Sequence, residues 1–455
     1  KKSKYEIDMC NGSIMDKLIS FSLPLMLSGI LQLMFNAVDI IVVGRFSGSE
    51  ALAAVGSTTA LISMFTNLFI GVSLGTSVLT ARFYAAGRDQ EVSETVHTSI
   101  MLALLSGILM VFVGLFFSRG ALELMDTPDD VIDLSTLYMK IYFVGMPFFM
   151  LYNYGAAVLR AVGDTKRPLF FLIISGVLNA GLNLFLVVVF HMGVAGVGIA
   201  TVISQMVSCV LVLICLYRAE SSYQLRLSKL TMKGVYLKQI FQVGVPAGIQ
   251  STVINFSNVL LQSSVNSFGS IAMAGYTAAN NLLGFLYASV NSITQACMSF
   301  TSQNYGVGKW KRMDRVLIDC MILTTGVALV IGGAFYGFGP EILKIYTDNE
   351  EVVRSGMEIL SFTTLTYFLC GLMDLFPGAL RGMGHSAVPM ILSVLGTVGT
   401  RVVWIFLIFP QHRSLDILFI SYPASWLLTI LMQVICFGFV RKKVHESLKK
   451  SGAAA

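Results

Sequence analysis

Long apolar runs, not short alternating ones, organise this 455-residue chain. A bilayer core ~30 Å thick needs about 20 apolar residues per helical crossing. Twelve windows of that length emerge, bounded by charges or Gly/Pro turns: 18–44, 51–80, 97–117, 134–158, 168–190, 194–217, 237–267, 272–301, 316–338, 354–379, 387–409 and 414–440. Several exceed the minimum, so tilted or kinked spans are expected. Connections as short as 191–193 and 268–270 leave no room for domains in the loops. The pattern predicts an all-α integral membrane protein of twelve transmembrane helices.

Composition sharpens the class. Hydrophobic residues make up 55% and charged residues 12%, against a usual ~45 to 50% and ~25%, and the mean hydropathy is +0.76. Too few charges are present to coat soluble domains, which excludes a cytosolic enzyme, a disordered chain and a secreted disulfide scaffold. The net charge of +6 raises nucleic acid as a partner, but the bases are sorted by loop. Placing the N-terminus inside puts 24 of the 31 bases on the cytoplasmic side and five on the other, with Lys140 and Arg401 inside spans. That asymmetry is the positive-inside rule. It predicts both termini in the cytoplasm and removes the nucleic-acid reading. No cleavable signal peptide is read at the start, since the first apolar run keeps Gln32, Asn36 and Asp39. The closing Ser-Gly-Ala-Ala-Ala reads as a cloning scar.

An internal duplication is the most informative feature. Gly-Ser-Glu-Ala-Leu-Ala-Ala from Gly48 recurs as Gly-Ser-Ile-Ala-Met-Ala-Gly from Gly269, a shift of 221 residues. The same shift carries Phe83–Arg88 onto Asn304–Lys309, the Leu-Arg-Ala-Val-Gly ending at Gly163 onto the Leu-Arg-Gly-Met-Gly ending at Gly384, and Pro168 onto Pro389. Six spans per half is an even number, so both halves enter the bilayer from the same side and are related by a pseudo-twofold along the membrane normal. The expected layout is a cytoplasmic tail (1–17), a six-helix bundle (18–217), a cytoplasmic linker (218–236), a second six-helix bundle (237–440) and a cytoplasmic tail (441–455). Two facing bundles leave a central cleft, the geometry that alternating access requires.

Polar residues inside spans are costly, at least ~2.5 to 3.5 kcal/mol for a charge at the bilayer centre, and each is a functional candidate. Gln32, Asn36 and Asp39 fall at i, i+4 and i+7, one face of span 1. A carboxylate in such a site alternates between neutral and charged forms with its surroundings, the property a proton-coupling residue needs. Asn179 and Asn183 lie one turn apart in span 5, and Thr201 lies in span 6. Their oxygens suit a hard monovalent cation or a proton relay, although Asn and Thr also serve as glue between helices. Ser251, Asn255, Asn258, Gln262 and Asn266 share a face of span 7, and Asn291 and Gln295 a face of span 8. With Asn153 in span 4, these amides are read as a cavity wall. Asp374 in span 10 and Arg401 in span 11 are expected to form a structural charge pair, with a substrate or ion role for Asp374 as the alternative. There is no P-loop to bind ATP, no nucleophile set of an enzyme and no metal cluster.

Asp39 within Phe-Asn-Ala-Val-Asp-Ile-Ile-Val-Val-Gly-Arg, the repeated Leu-Arg-Ala/Gly-x-Gly after spans 4 and 10, and the 6+6 duplication together resemble the MATE (multidrug and toxic compound extrusion) transporters over residues 15 to 440. The resemblance implies an antiporter with a V-shaped cleft that exports organic, often cationic and aromatic, compounds against an inward flow of protons or sodium. It also implies a first-bundle cation site at Asp39, Asn179 and Thr201. Asn183 stands where many members carry an Asp, which removes a negative charge and favours protons over Na+ at Asp39, Asn179, Asn183 and Thr201. The expectation is therefore a monomeric exporter of the bacterial inner membrane, not an enzyme. It would have no cofactor beyond H+ or Na+ as coupling ion, and small molecules and membrane lipid as partners. Gln32, Asn36, Asn153, Asn255, Asn258, Gln262, Asn291, Gln295 and Asp374 would line the substrate path. A lipid or lipid-linked-sugar flippase is the alternative.

Overall fold

The computed structural model describes residues 1–452; the last three residues of the closing tail lie outside them. The first half holds α1 (Met15–Phe46), α2 (Gly48–Ala85), α3 (Asp89–Leu124), α4 (Ile132–Val144), α5 (Met146–Ala161), α6 (Lys166–Asn183) and α7 (Val194–Tyr217), with a π-helical turn, Leu184–Val189, extending α6. The second half holds α8 (Gly234–Asn266), α9 (Ser270–Gly306), α10 (Trp310–Gly337), the short α11 (Gly339–Leu343), α12 (Glu350–Thr363), α13 (Tyr367–Gly382), α14 (Ala387–Ser393), α15 (Thr400–Val403) and α16 (Leu415–Lys450). A π-helical stretch, Val394–Gly399, joins α14 to α15, and a second, Trp404–Ile408, extends α15.

Among the described residues eight helical segments are long and apolar enough to cross a membrane, and two bent pairs raise that to ten. The bends, 46° between α4 and α5 and 50° between α12 and α13, are the expected kinks. The first falls at Gly145 with Pro147 in the first turn of α5, where a missing N–H cannot close the helical ladder. The remaining two crossings are α8 and α9, of 33 and 37 residues. Both exceed a bilayer's thickness in length, and the amides that line them lower their hydropathy. The result is a multi-pass membrane protein with twelve long helical crossings in a 6+6 layout.

The duplication is written in the backbone. A shift of 221 carries Asp89, Met146, Lys166 and Val194, the first residues of α3, α5, α6 and α7, onto Trp310, Tyr367, Ala387 and Leu415, the first residues of α10, α13, α14 and α16. It also carries Gly48, Gly87 and Gly163 onto Gly269, Gly308 and Gly384, all with positive φ. Such φ values end a helix or turn the chain at no steric cost only for glycine. At Gly163 a Cβ would also meet the backbone of Ile7.

Two compact units form. Unit 1 comprises Lys1–Ile7 and Ile30–Phe241, unit 2 Asp8–Gly29 and Gln242–Ala455. The grouping divides α1 and α8: the first half of α1 packs in unit 2, where the rings of Phe21 and Phe300 meet edge to face at 5.7 Å. In unit 1 the linker after α7 is pinned to α3, with His97 Nε2 accepting from the Arg226 N–H at 3.0 Å and Thr98 Oγ1 accepting from the Lys233 N–H at 3.2 Å. The core of unit 2 is aromatic, with Tyr276, Tyr367, Phe419, Tyr422 and Trp426 buried together.

Candidate cation and substrate sites

Unit 1 gathers the first candidate set from α1 and α6. Asp39 lies one helical turn beyond Asn36 on α1 and is half-buried, whereas Gln32 and Asn36 are exposed. Asn179 and Asn183 are one turn apart on α6 and both are buried. Their side-chain amides converge on a single carboxylate oxygen: Asn179 Nδ2 donates to Asp39 Oδ1 at 2.9 Å, and Asn183 Nδ2 donates to the same oxygen. A charge-assisted hydrogen bond is worth roughly 1.5 to 3 kcal/mol. Two of them match the penalty for a charge at the bilayer centre, which is how a carboxylate persists here.

The close approach of α6 to α1 has a specific cause. At Gly176, one turn before Asn179, any Cβ would run into the ring of Phe35. Glycine at that position lets the Phe35 ring lie against the α6 backbone and brings both amides within reach of Asp39. The amide oxygens of Asn179 and Asn183 are buried and have no protein partner. Carboxylate and amide oxygens are hard ligands, of the kind that suit a proton or an alkali cation. From α4, Tyr138 and Tyr142 stand within electrostatic reach of Asp39, their rings 6.2 Å apart. Phe35, Gly176 and the two tyrosines escape a reading of sequence alone, because aromatic and small residues in an apolar helix look like ordinary packing.

Thr201 is not drawn into this set by a hydrogen bond. Its Oγ1 donates to the Val197 carbonyl of its own helix α7 at 3.0 Å, the usual retreat of a hydroxyl in an apolar helix. Asn153 does the same on α5, donating to the Phe149 carbonyl at 2.8 Å.

Unit 2 holds the amide stripes. On α8, Asn255 and Gln262 are exposed and Asn258 is half-buried; on α9, Asn291 and Gln295 are half-buried. Asp374 on α13 is half-buried, within electrostatic reach of Tyr287 and Arg381. The expected pair between Asp374 and Arg401 does not form. Arg401 turns toward α8 instead, where Nη1 donates to Ser257 Oγ at 2.9 Å and to Asn258 Oδ1 at 2.7 Å. Counting residues along two helices gives depth but not rotation, and rotation directs the guanidinium at α8. Arg381, next to Asp374 in this network, is buried and donates to Gln250 Oε1. Its position at the end of α13 reads in the sequence as one more cytoplasmic base.

A family model described as MatE matches residues 24–185 and again 246–407, once in each half. The chain is 29% identical over 437 residues to the probable multidrug resistance protein YoeA of Bacillus subtilis (strain 168), with 93% of each protein covered. It is 24% identical over 383 residues to the multidrug export protein MepA of Staphylococcus aureus (strain NCTC 8325 / PS 47), covering 83% of this chain and 84% of MepA. A crystal structure of MATE in complex with MaL6 has the same fold, with a TM-score of 0.90 at 20% identity over 99% of this chain and all of that one. The repeated match falls on the same two halves that share helix starts and glycine turns at one fixed shift, and on that basis the chain belongs to the MatE family.

Proposed function

We propose that this protein is a secondary-active exporter of organic small molecules, driven by protons entering through unit 1, with Asp39 as the coupling residue. The observation that carries the reading is the clamp of Asn179 and Asn183 on Asp39. YoeA and MepA are named for multidrug resistance and export, and the exposed amides of α8 suit a surface that receives varied polar or cationic compounds.

The clamp has two states. With Asp39 charged, both amides donate to it, as here. A proton on the second carboxylate oxygen leaves both amides on Oδ1 but removes the negative charge that strengthens their hydrogen bonds. The contact between α1 and α6 therefore differs between the two states, and a conformational equilibrium can be biased only by such a difference. A sodium ion held against Oδ1 would need oxygens where the amide N–H groups now point, giving up both charge-assisted bonds together. A proton on the second oxygen keeps both bonds and only weakens them, which favours proton coupling. The distribution of bases supports both termini in the cytoplasm, and a plasma-membrane location follows.

The test is uptake of a fluorescent organic cation into proteoliposomes under an imposed pH or sodium gradient. Transport should follow the pH gradient, and Asp39→Asn should abolish that dependence while leaving downhill binding of the cation measurable. Gradient-driven transport by Asp39→Asn at the parental rate would overturn the assignment.

A further inference from the structure

Unit 2 buries a charge with no counter-charge. Arg401 is 2% exposed inside a 22-residue span, and among the described residues no carboxylate pairs with it. What surrounds it is neutral: Ser257 Oγ and Asn258 Oδ1 accept from Nη1, and Cζ stands 4.9 Å from the ring centre of Tyr422. The Tyr422 hydroxyl is fixed by a 2.7 Å hydrogen bond to that of Tyr276. Nε is buried without a partner. Neutral oxygens and an aromatic face are the surroundings that bind a monovalent cation, and an uncompensated guanidinium would not survive in hydrocarbon without them.

The duplication locates this cage. The shift of 221 carries Asn36 and Ala37 onto Ser257 and Asn258, Asn179 and Ala180 onto Thr400 and Arg401, and Thr201 onto Tyr422. The cage walls come from α8 and α16 and its occupant from α15, the repeats of the three helices that carry Asp39, Thr201 and Asn179 in unit 1. Asp39 itself falls on Leu260. At the counterpart of the candidate ion site, unit 2 has lost the anion and gained a tethered cation.

We propose that the Arg401 guanidinium is a resident cation, holding permanently in unit 2 the place whose counterpart in unit 1 is filled and emptied by the coupling ion. Always charged and covalently held, it closes that position to exchange and leaves ion exchange at this locus to unit 1. The second statement rests on the Asp39 reading; the cage as a cation site stands without it.

The test removes the tether and keeps the cage. Purified Arg401→Ala should melt below the parent, and guanidinium chloride at ~10 mM should raise its midpoint by about 2 °C or more. Equal urea or NaCl should not do so, and the parent should not respond. Tyr422→Leu in the same background should abolish the rise. A folded Arg401→Ala that ignores guanidinium overturns the proposal. If that variant does not fold, Arg401→Lys and Arg401→Gln decide: a retained charge predicts the Lys protein to be the more stable, and a Gln protein as stable as it or more so overturns the proposal. The melts are repeated in Asp39→Asn/Arg401→Ala beside transport by Asp39→Asn alone. Guanidinium rescue with undiminished gradient-driven transport in Asp39→Asn would sink the unit 1 reading and leave the resident cation standing.

Discussion

Two amide N–H groups donate to Asp39, and on the proposed reading Asn183 is the residue that decides which ion the site takes. It is fully buried and donates to the same oxygen as Asn179, so it stabilises the charged carboxylate without adding charge of its own. A second carboxylate there would face Asp39 across a short gap in a low-dielectric setting. Two like charges so close cannot both ionise unless a cation sits between them. Asn183→Asp should therefore convert the site from one that a proton alone satisfies to one that sodium stabilises. Transport should be insensitive to sodium in the parent and rise several-fold between zero and ~100 mM NaCl at fixed pH in the variant, a change on the order of 1 kcal/mol. A variant that stays insensitive to sodium would show that the amide oxygens and Asp39 do not share one ion.

At the scale of elements, the site depends on how closely α6 lies on α1. Phe35 meets α6 where Gly176 has no side chain, and a methyl group there has no room without moving the ring or the helix. Overpacking of this kind costs ~1 to 3 kcal/mol, and here it also draws the amides away from Asp39. Gly176→Ala should lower both the melting midpoint and gradient-driven transport, and Phe35→Ala added to it should restore a large part of each. If Phe35→Ala restores stability but not transport, the ring itself acts in coupling and not only in spacing. The twelve crossings, the repeat and Asp39 were legible from apolar run length, one fixed shift and a charge in a span, because each is a property of a single helix or of the chain's register. Gly176, the clamp geometry and the partner of Arg401 were not, because they depend on which face of one helix turns to another. Position along a helix sets the depth of Asp374 and Arg401 but not the direction in which either side chain turns.

Across the whole molecule, the two halves share helix starts and turns but not chemistry, and on the proposed reading that difference divides their roles. Unit 1 offers a carboxylate whose hydrogen bonds change with protonation. Unit 2 offers a fixed guanidinium, amides exposed along α8, and Asp374 at the position equivalent to Asn153. Asp374 has no salt bridge among the described residues, and lies instead in a network with Tyr287 and Arg381. On the proposed reading this half-buried carboxylate near Tyr287 meets the positive end of an organic cation. Removing its charge should weaken that meeting without disturbing the clamp on Asp39 in the other unit. Asp374→Asn should thus keep transport dependent on the pH gradient while raising the half-saturating concentration of a cationic substrate by about tenfold, the size of one lost interaction of ~1.4 kcal/mol, and it should leave a neutral substrate unaffected. Initial rates against substrate concentration, measured beside Asp39→Asn, separate the two roles. A loss of pH coupling in Asp374→Asn equal to that in Asp39→Asn would mean that both halves carry protons, and the division of labour between a coupling unit and a substrate-receiving unit would have to be given up.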